Sequence, residues 1–248
     1  MEKFVFVHGA WLGAWCWDKV SGILHEKGAR TLSIDLPGHG NSTEPIEGQD
    51  IHTYAAAIVK VLEAQEEPVI LVGHSMGGMS ISEAAAMAPD KVKKLVYVAA
   101  FLPKDGEANN FYGDIKGIQP MDWIGMGHAN IGVVLNEDET VMTLTPDFAV
   151  PALYNDIPEE IGRALCELHG PDTIASPYTA VHLNEAFDKI PKYYIKCSQD
   201  GILTVDIQEK MLAATPVKKL YELDAGHCPY ISRAEELADA LCDIQKDQ

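Results

Sequence analysis

Six short runs of β-branched, aromatic and aliphatic residues recur along the chain, at residues 4–7, 31–34, 69–72, 95–99, 193–197 and 219–223. They are mostly continuous rather than alternating, the pattern of strands covered on both faces. Longer segments of helical period separate them, at residues 15–26, 51–65, 76–87, 205–214 and 234–244. The last of these puts Leu237, Leu241 and Ile244 on one stripe. This β-α-β-α rhythm predicts a mainly parallel sheet with helices on both faces. Right-handed crossovers then leave few topologies. A chain of 248 residues that is 47% hydrophobic and 23% charged has the makings of one sizeable core and not of a disordered segment.

The rhythm breaks once. The fourth run ends near Ala100 and the fifth begins near Tyr193, far more chain than one βαβ crossover needs. The segment carries Phe111, Tyr112, Trp123, Phe148, Tyr154 and Tyr178 and a helical stretch at 158–168. Aromatics and low repetition mark it as folded. The expected division is a core of residues 1–103 and 190–248, with residues 104–189 inserted as a lid over one end of the sheet.

Nineteen Lys and Arg stand against 37 Asp and Glu, a net charge of −18. So acidic a chain lacks the electrostatic footprint of a nucleic-acid binder and is repelled by anionic membrane surfaces. No stretch approaches the roughly 18–20 apolar residues of a transmembrane helix, and the apolar run at residues 4–7 is too short for a signal peptide. Five scattered cysteines with no Cys-x-x-Cys read as reduced thiols of a cytoplasmic protein, and neither a metal nor a cofactor is expected. A homodimer is left open.

The sharpest signal is Val69-Ile-Leu-Val-Gly73-His74-Ser75-Met76-Gly77-Gly78, followed by an alanine-rich segment. A buried strand running through Gly-x-Ser-x-Gly into a helix is the context of a nucleophile elbow. It lifts a serine above the sheet edge, at the positive end of a helix. A serine hydroxyl needs a base, and the base needs an orienting acid, expected in the chain order serine, acid, histidine. His227 follows the last strand and is the candidate base; His25, His52 and His182 fall in expected helices, and His128 and His169 in the insert. His74 flanks the serine but points elsewhere, and His39 lies in the loop after the second strand. Asp200, just past the fifth strand, is the leading acid and Asp105 the alternative. Asp224 sits too close to His227 in sequence and is expected to point away.

If the strand order is 2-1-3-4-5-6, strands one and three are neighbours and a crevice opens where their connections diverge. The loop His8-Gly9-Ala10-Trp11 then borders Ser75, and the backbone N–H groups of Ala10 and Met76 are placed to receive an oxyanion. His8 is read as shaping that loop, and the turn from Asp35 through Gly38 and Gly40 as structural. Trp11, Met121, Trp123, Phe148, Leu153 and Tyr154 are candidates for lining a pocket, each as readily for packing the insert.

Taken together, these residues resemble the α/β-hydrolase family, from His8-Gly9 through Gly73–Gly78 to Asp200 and His227. The narrower similarity is to the subgroup of plant methylesterases, hydroxynitrile lyases and some bacterial esterases. It rests on Phe-Val-His-Gly-Ala-Trp near the start, on Ala99-Ala100-Phe101-Leu102-Pro103, and on Tyr154 with Pro158-Glu159-Glu160. The resemblance implies the α/β-hydrolase fold, with a six-stranded sheet and a lid. It also implies a Ser75-His227-Asp200 triad, Ala10 and Met76 as oxyanion donors, no cofactor, and hydrolysis of a small hydrophobic carboxylic ester. Lyases of the subgroup carry a threonine after the strand-one histidine and a lysine after the catalytic histidine, where this chain has Gly9 and Cys228. A lyase or carbon–carbon bond hydrolase on the same fold, and a receptor that kept the triad without turnover, are the alternatives. Fifteen of the acidic residues but only four basic ones fall between Lys104 and Lys189, so the expected substrate is a neutral or cationic ester.

Overall fold

The computed structural model describes residues 2–109 and 132–247. The first half is a run of βα units: β1 (Lys3–Val7), α1 (Asp18–Glu26), β2 (Arg30–Ile34), α2 (Ile51–Glu63), β3 (Val69–His74), α3 (Gly77–Met87) and β4 (Val92–Val98). The described part of the insert contributes β5 (Val133–Leu135), β6 (Val141–Leu144), α4 (Pro146–Leu153), α5 (Glu159–Cys166), β7 (Asp172–Thr173) and α6 (Glu185–Asp188). The chain then returns through β8 (Lys192–Cys197), α7 (Val205–Ala214), β9 (Lys219–Leu223), α8 (Pro229–Ser232) and α9 (Ala234–Lys246).

All six strands of the main sheet are parallel and run in the order β2-β1-β3-β4-β8-β9. β8 and β9 are the fifth and sixth runs expected from the sequence, so the order is the expected one. Alternation along each strand sends side chains to two separate cores. Val5, Val7, Leu71, Leu95 and Tyr97 pack with Ile51, Tyr54, Ile58 and Leu62 of α2 and with the buried α3. Phe4, Phe6, Ile70, Val72, Val96 and Val98 pack with Val20 and Leu24 of α1 and with Leu237, Leu241 and Ile244 of α9. Both faces of the central strands are thus covered, and this is why β1, β3, β4 and β8 read as largely apolar runs, while the edge strands β2 and β9 are more exposed. α2 starts at a capping box, in which Asp50 accepts from the Thr53 amide and Thr53 Oγ1 from the Asp50 amide, each at 2.8 Å.

Several elements differ from the expectation. Residues 14–17 form a 3-10 turn before α1 rather than its first turn. His182 lies in an extended loop, not a helix: Asn184 caps α6 by accepting from the Ala186 and Phe187 amides, so the chain before it cannot be helical. The insert also holds an antiparallel three-stranded sheet, β5-β6-β7, that the sequence reading missed. Its β5–β6 hairpin is pinned by Asn136, whose Oδ1 accepts from the Thr140 and Val141 amides. No helix among the described residues is long and apolar enough to cross a membrane.

Candidate active site

The turn after β3 is built by close approaches of backbone. Ser75 adopts φ +52°, a left-handed conformation that a side-chain-bearing residue holds only when its surroundings impose it. Here its N–H donates to the Ala99 carbonyl at 3.2 Å, and its carbonyl accepts from the Phe101 amide at 3.1 Å. The flanking glycines are steric necessities. A Cβ on Gly78 would sit 2.1 Å from the Phe101 carbonyl oxygen, and one on Gly77 would sit 2.6 Å from that of His8. Ser75 is therefore presented at the mouth of the sheet with α3 starting two residues later.

The other two sequence candidates meet it. Ser75 Oγ lies 3.0 Å from His227 Nε2, and His227 Nδ1 lies 2.8 Å from Asp200 Oδ2. The remaining oxygen of Asp200 accepts from the Ile202 and Leu203 amides at 2.8 and 2.9 Å. The carboxylate is thus locked in one orientation, acceptor-only, toward the imidazole. His227 is buried. The alternatives lie elsewhere: Asp105 accepts from the Leu183 amide, and Asp224 accepts from Ser198 Oγ and the Gln199 side-chain amide.

Gly9 brings the loop after β1 against the serine, for a Cβ there would fall 2.8 Å from Ser75 Cβ. Among the described residues the Ala10 and Met76 amides have no protein acceptor. His8 acts as the loop-shaping residue expected of it. Its Nδ1–H donates to the Gly9 carbonyl at 2.8 Å, and its Nε2 accepts from the Leu36 amide at 3.1 Å. Burial, together with His39 nearby, lowers its pKa to about 3, so it stays neutral. Asp35 stitches the first two loops together through the Ala14 and Asn41 amides.

Two supports of the base escaped the sequence reading. His74 does point away from Ser75, but its Nε2–H donates to the His227 carbonyl at 2.8 Å. Burial, and then the neighbouring His227, depress its pKa well below the ordinary value. Asp156, from the insert, accepts from the Gly226 amide at 2.7 Å, one residue before His227. Cys228 is buried, accepts from Tyr230 OH at 3.1 Å, and has its pKa pushed up by burial. Its side chain is therefore a neutral thiol.

Of the pocket candidates, Tyr154 is fully buried and its hydroxyl shares a hydrogen bond with His169 Nε2 at 2.7 Å, a packing role. Leu153 is buried in the core that also holds α1 and α9. Phe148 is half-buried, and the Trp11 indole donates to the Met142 carbonyl at 3.3 Å. Met121 and Trp123 lie outside the described residues.

Comparison with known proteins adds a lineage to this geometry. A model of the alpha/beta hydrolase family matches residues 4–240. The chain is 31% identical over 257 residues to Methylesterase 9 of Arabidopsis thaliana, covering 98% of each chain. It is 28% identical over 253 residues to an alpha-hydroxynitrile lyase of the same plant, covering 99% of this chain and 98% of that one. It superposes on the crystal structure of a methylesterase from Arabidopsis with a TM-score of 0.81 and 28% identity, covering 98% of both chains.

Proposed function

The chain belongs to the alpha/beta hydrolase family, and we propose on that premise that it is a serine carboxylesterase acting on small hydrophobic carboxylic esters. The observation that carries the proposal is the unbroken line from Ser75 Oγ through His227 to Asp200, at 3.0 and 2.8 Å, starting from a left-handed serine.

In this reading Ser75 Oγ attacks the ester carbonyl carbon as His227 Nε2 takes its proton. Asp200 keeps the proton of the neutral imidazole on Nδ1 and stabilises the imidazolium that forms. The carbonyl oxygen, now an oxyanion, receives the Ala10 and Met76 N–H groups. His227 returns the proton to the alkoxide as the C–O bond breaks, and the alcohol departs. Water, deprotonated by His227, then attacks the acyl-enzyme and releases the acid and Ser75. Every step uses only groups of the chain and water. The insert serves as a cap over this site.

A cyanohydrin-cleaving reading has less support, because cyanide would leave as an anion and the residue following His227 is a neutral thiol, not a cation. The test is turnover of 4-nitrophenyl acetate and of methyl esters of aromatic acids. Ser75→Ala should abolish both, and a fluorophosphonate should label Ser75. Turnover that survives the substitution, or labelling elsewhere, would sink the assignment.

A further inference from the structure

Trp11 directly follows Ala10 and adopts φ +62°. For a bulky residue this conformation is strained and needs something to hold it. Three hydrogen bonds do so, and all come from the insert. The Trp11 N–H donates to Asp172 Oδ2 at 3.2 Å, its carbonyl accepts from the Gly170 amide at 2.9 Å, and its indole N–H donates to the Met142 carbonyl.

Asp172, in β7, is wholly buried. A buried carboxylate survives only when its lone pairs are matched by donors, and here they are. Oδ1 accepts from the Thr173 amide at 2.6 Å and from Tyr54 OH at 3.3 Å. Oδ2 holds Trp11 and lies 3.4 Å from His39 Nε2. The other nitrogen of His39 donates to the Pro37 carbonyl at 3.1 Å. A neutral His39 would therefore present a bare lone pair to the carboxylate, so the imidazolium is the form that fits. Burial opposes that charge, but the adjacent Asp172 carboxylate and the Pro37 carbonyl outweigh it, and the net shift of the His39 pKa is upward. The facing titratable groups are His8, Asp35, Tyr54 and Asp172.

We propose that Asp172 is a positioning residue of the oxyanion hole, its buried carboxylate fixing the Trp11 amide and through it the direction of the Ala10 N–H. The peptide unit between Ala10 and Trp11 is planar, so anchoring the Trp11 N–H orients that plane and places the Ala10 Cα at its edge; the Ala10 N–H belongs to the preceding Gly9–Ala10 plane, which turns about that fixed Cα. On the other side Gly9 is wedged against Ser75 Cβ. Ala10 is held between these two anchors, and its own N–H is left free to face the reacting oxygen. The inference rests on the esterase reading, in which Ala10 is an oxyanion donor.

Asp172→Asn separates this role from mere support. The Asn oxygen would keep Thr173 and Tyr54, while its NH₂ would donate to a neutral His39 and face the Trp11 N–H, leaving that one donor unmatched. Turnover should slow by about 10- to 100-fold, the order that a displacement of about 1 Å produces in a reacting geometry, with KM within threefold. Inhibition by an aryl trifluoromethyl ketone, which forms a tetrahedral adduct on the serine, should weaken by the same factor. Asp172→Glu should not restore it, because its longer stem misplaces the carboxylate. Ser75→Ala is measured alongside. If the wild type shows no turnover dependent on Ser75, both readings fall. If that turnover exists and folded Asp172→Asn keeps kcat within threefold, or loses kcat with unchanged inhibition by the ketone, the inference falls alone. Should Asp172→Asn not fold, amide exchange in the wild type decides. Protection of the Trp11 N–H by at least a hundredfold supports the clamp, and exchange at the rate of an open loop overturns it.

Discussion

Replacing Asp200 by Asn tests the site at its least conspicuous member. The side-chain oxygen that accepts from the Ile202 and Leu203 amides, at 2.8 and 2.9 Å, has to remain an oxygen. The new NH₂ is therefore forced into the place of Oδ2, 2.8 Å from His227 Nδ1. There it can only donate, so Nδ1 must become the acceptor and the imidazole proton must move to Nε2. That proton then faces Ser75 Oγ across 3.0 Å, and the base can no longer take the serine proton without turning an N–H against an N–H. Fixing the wrong tautomer slows turnover by a factor on the order of 10⁴, or about 5 kcal/mol of barrier. The shape of the site is unchanged, so KM and the thermal midpoint should move little. The assay is nitrophenolate release from 4-nitrophenyl acetate, with Asp105→Asn and Asp224→Asn as controls that should stay within threefold. A loss under tenfold for Asp200→Asn, or an equal loss for either control, would refute the assignment of the acid.

Gly78→Ala drives a methyl to 2.1 Å from the Phe101 carbonyl and should lower stability by about 1–3 kcal/mol or more, read from the urea midpoint. Gly22→Ala in α1, where a Cβ meets nothing within 4 Å, should raise it by about 0.5–1 kcal/mol. His8, at about 3, and His169, at about 4, are depressed by burial, and so is His74. Their contribution is whole above about pH 6.5, where the unfolded chain is also neutral, and is lost as the pH falls from there toward the depressed values. The raised pKa of His39 works the other way, adding stability below about 6.5 that is lost as the pH rises through its folded value. Three groups against one predict a lower urea midpoint at pH 5 than at pH 7.5, and a flat or rising midpoint would contradict their neutral burial. Discrimination against carboxylate-bearing esters should shrink as salt rises, because exposed charges are screened; a constant ratio of kcat/KM values would make the acidity a matter of solubility.

What the sequence revealed and what it withheld follow from the range of each signal. Ser75, His227 and Asp200 each sit at the end of a parallel strand, and a strand end is a local pattern of apolar run and turn. The topology then brings three distant strand ends to one edge. The supports have no such signature. His74 reaches a carbonyl 153 positions away, Asp156 an amide 70 away and Asp172 an amide 161 away. An isolated aspartate has no period, so nothing along the chain distinguishes Asp156 and Asp172 from surface carboxylates. β5 and β6 span three and four residues and β7 only two, too few to show the alternation by which strands are recognised. The central strands β1, β3, β4 and β8, buried on both faces, announced themselves by their apolar runs.

The acidity of the insert divides into two kinds once the partners are known. Asp147 and Glu159 flank Arg163 at the surface, where such pairs add little and salt screens them. Asp156 and Asp172 instead reach inward to backbone amides beside His227 and Ala10. They are held by N–H donors and, at Asp172, by His39 as well, so salt screens them less than the exposed pairs. Salt should accordingly act on substrate choice through the outer carboxylates alone and leave the inner two in place. The net charge is then no single property of this chain: its outer part is where the predicted preference against anions resides, while its inner part joins the insert to the loops around Ser75 and His227. A variant stripped of outer carboxylates should lose its charge preference and keep its kcat on a neutral ester, and a parallel fall in both would show that the two groups cannot be separated.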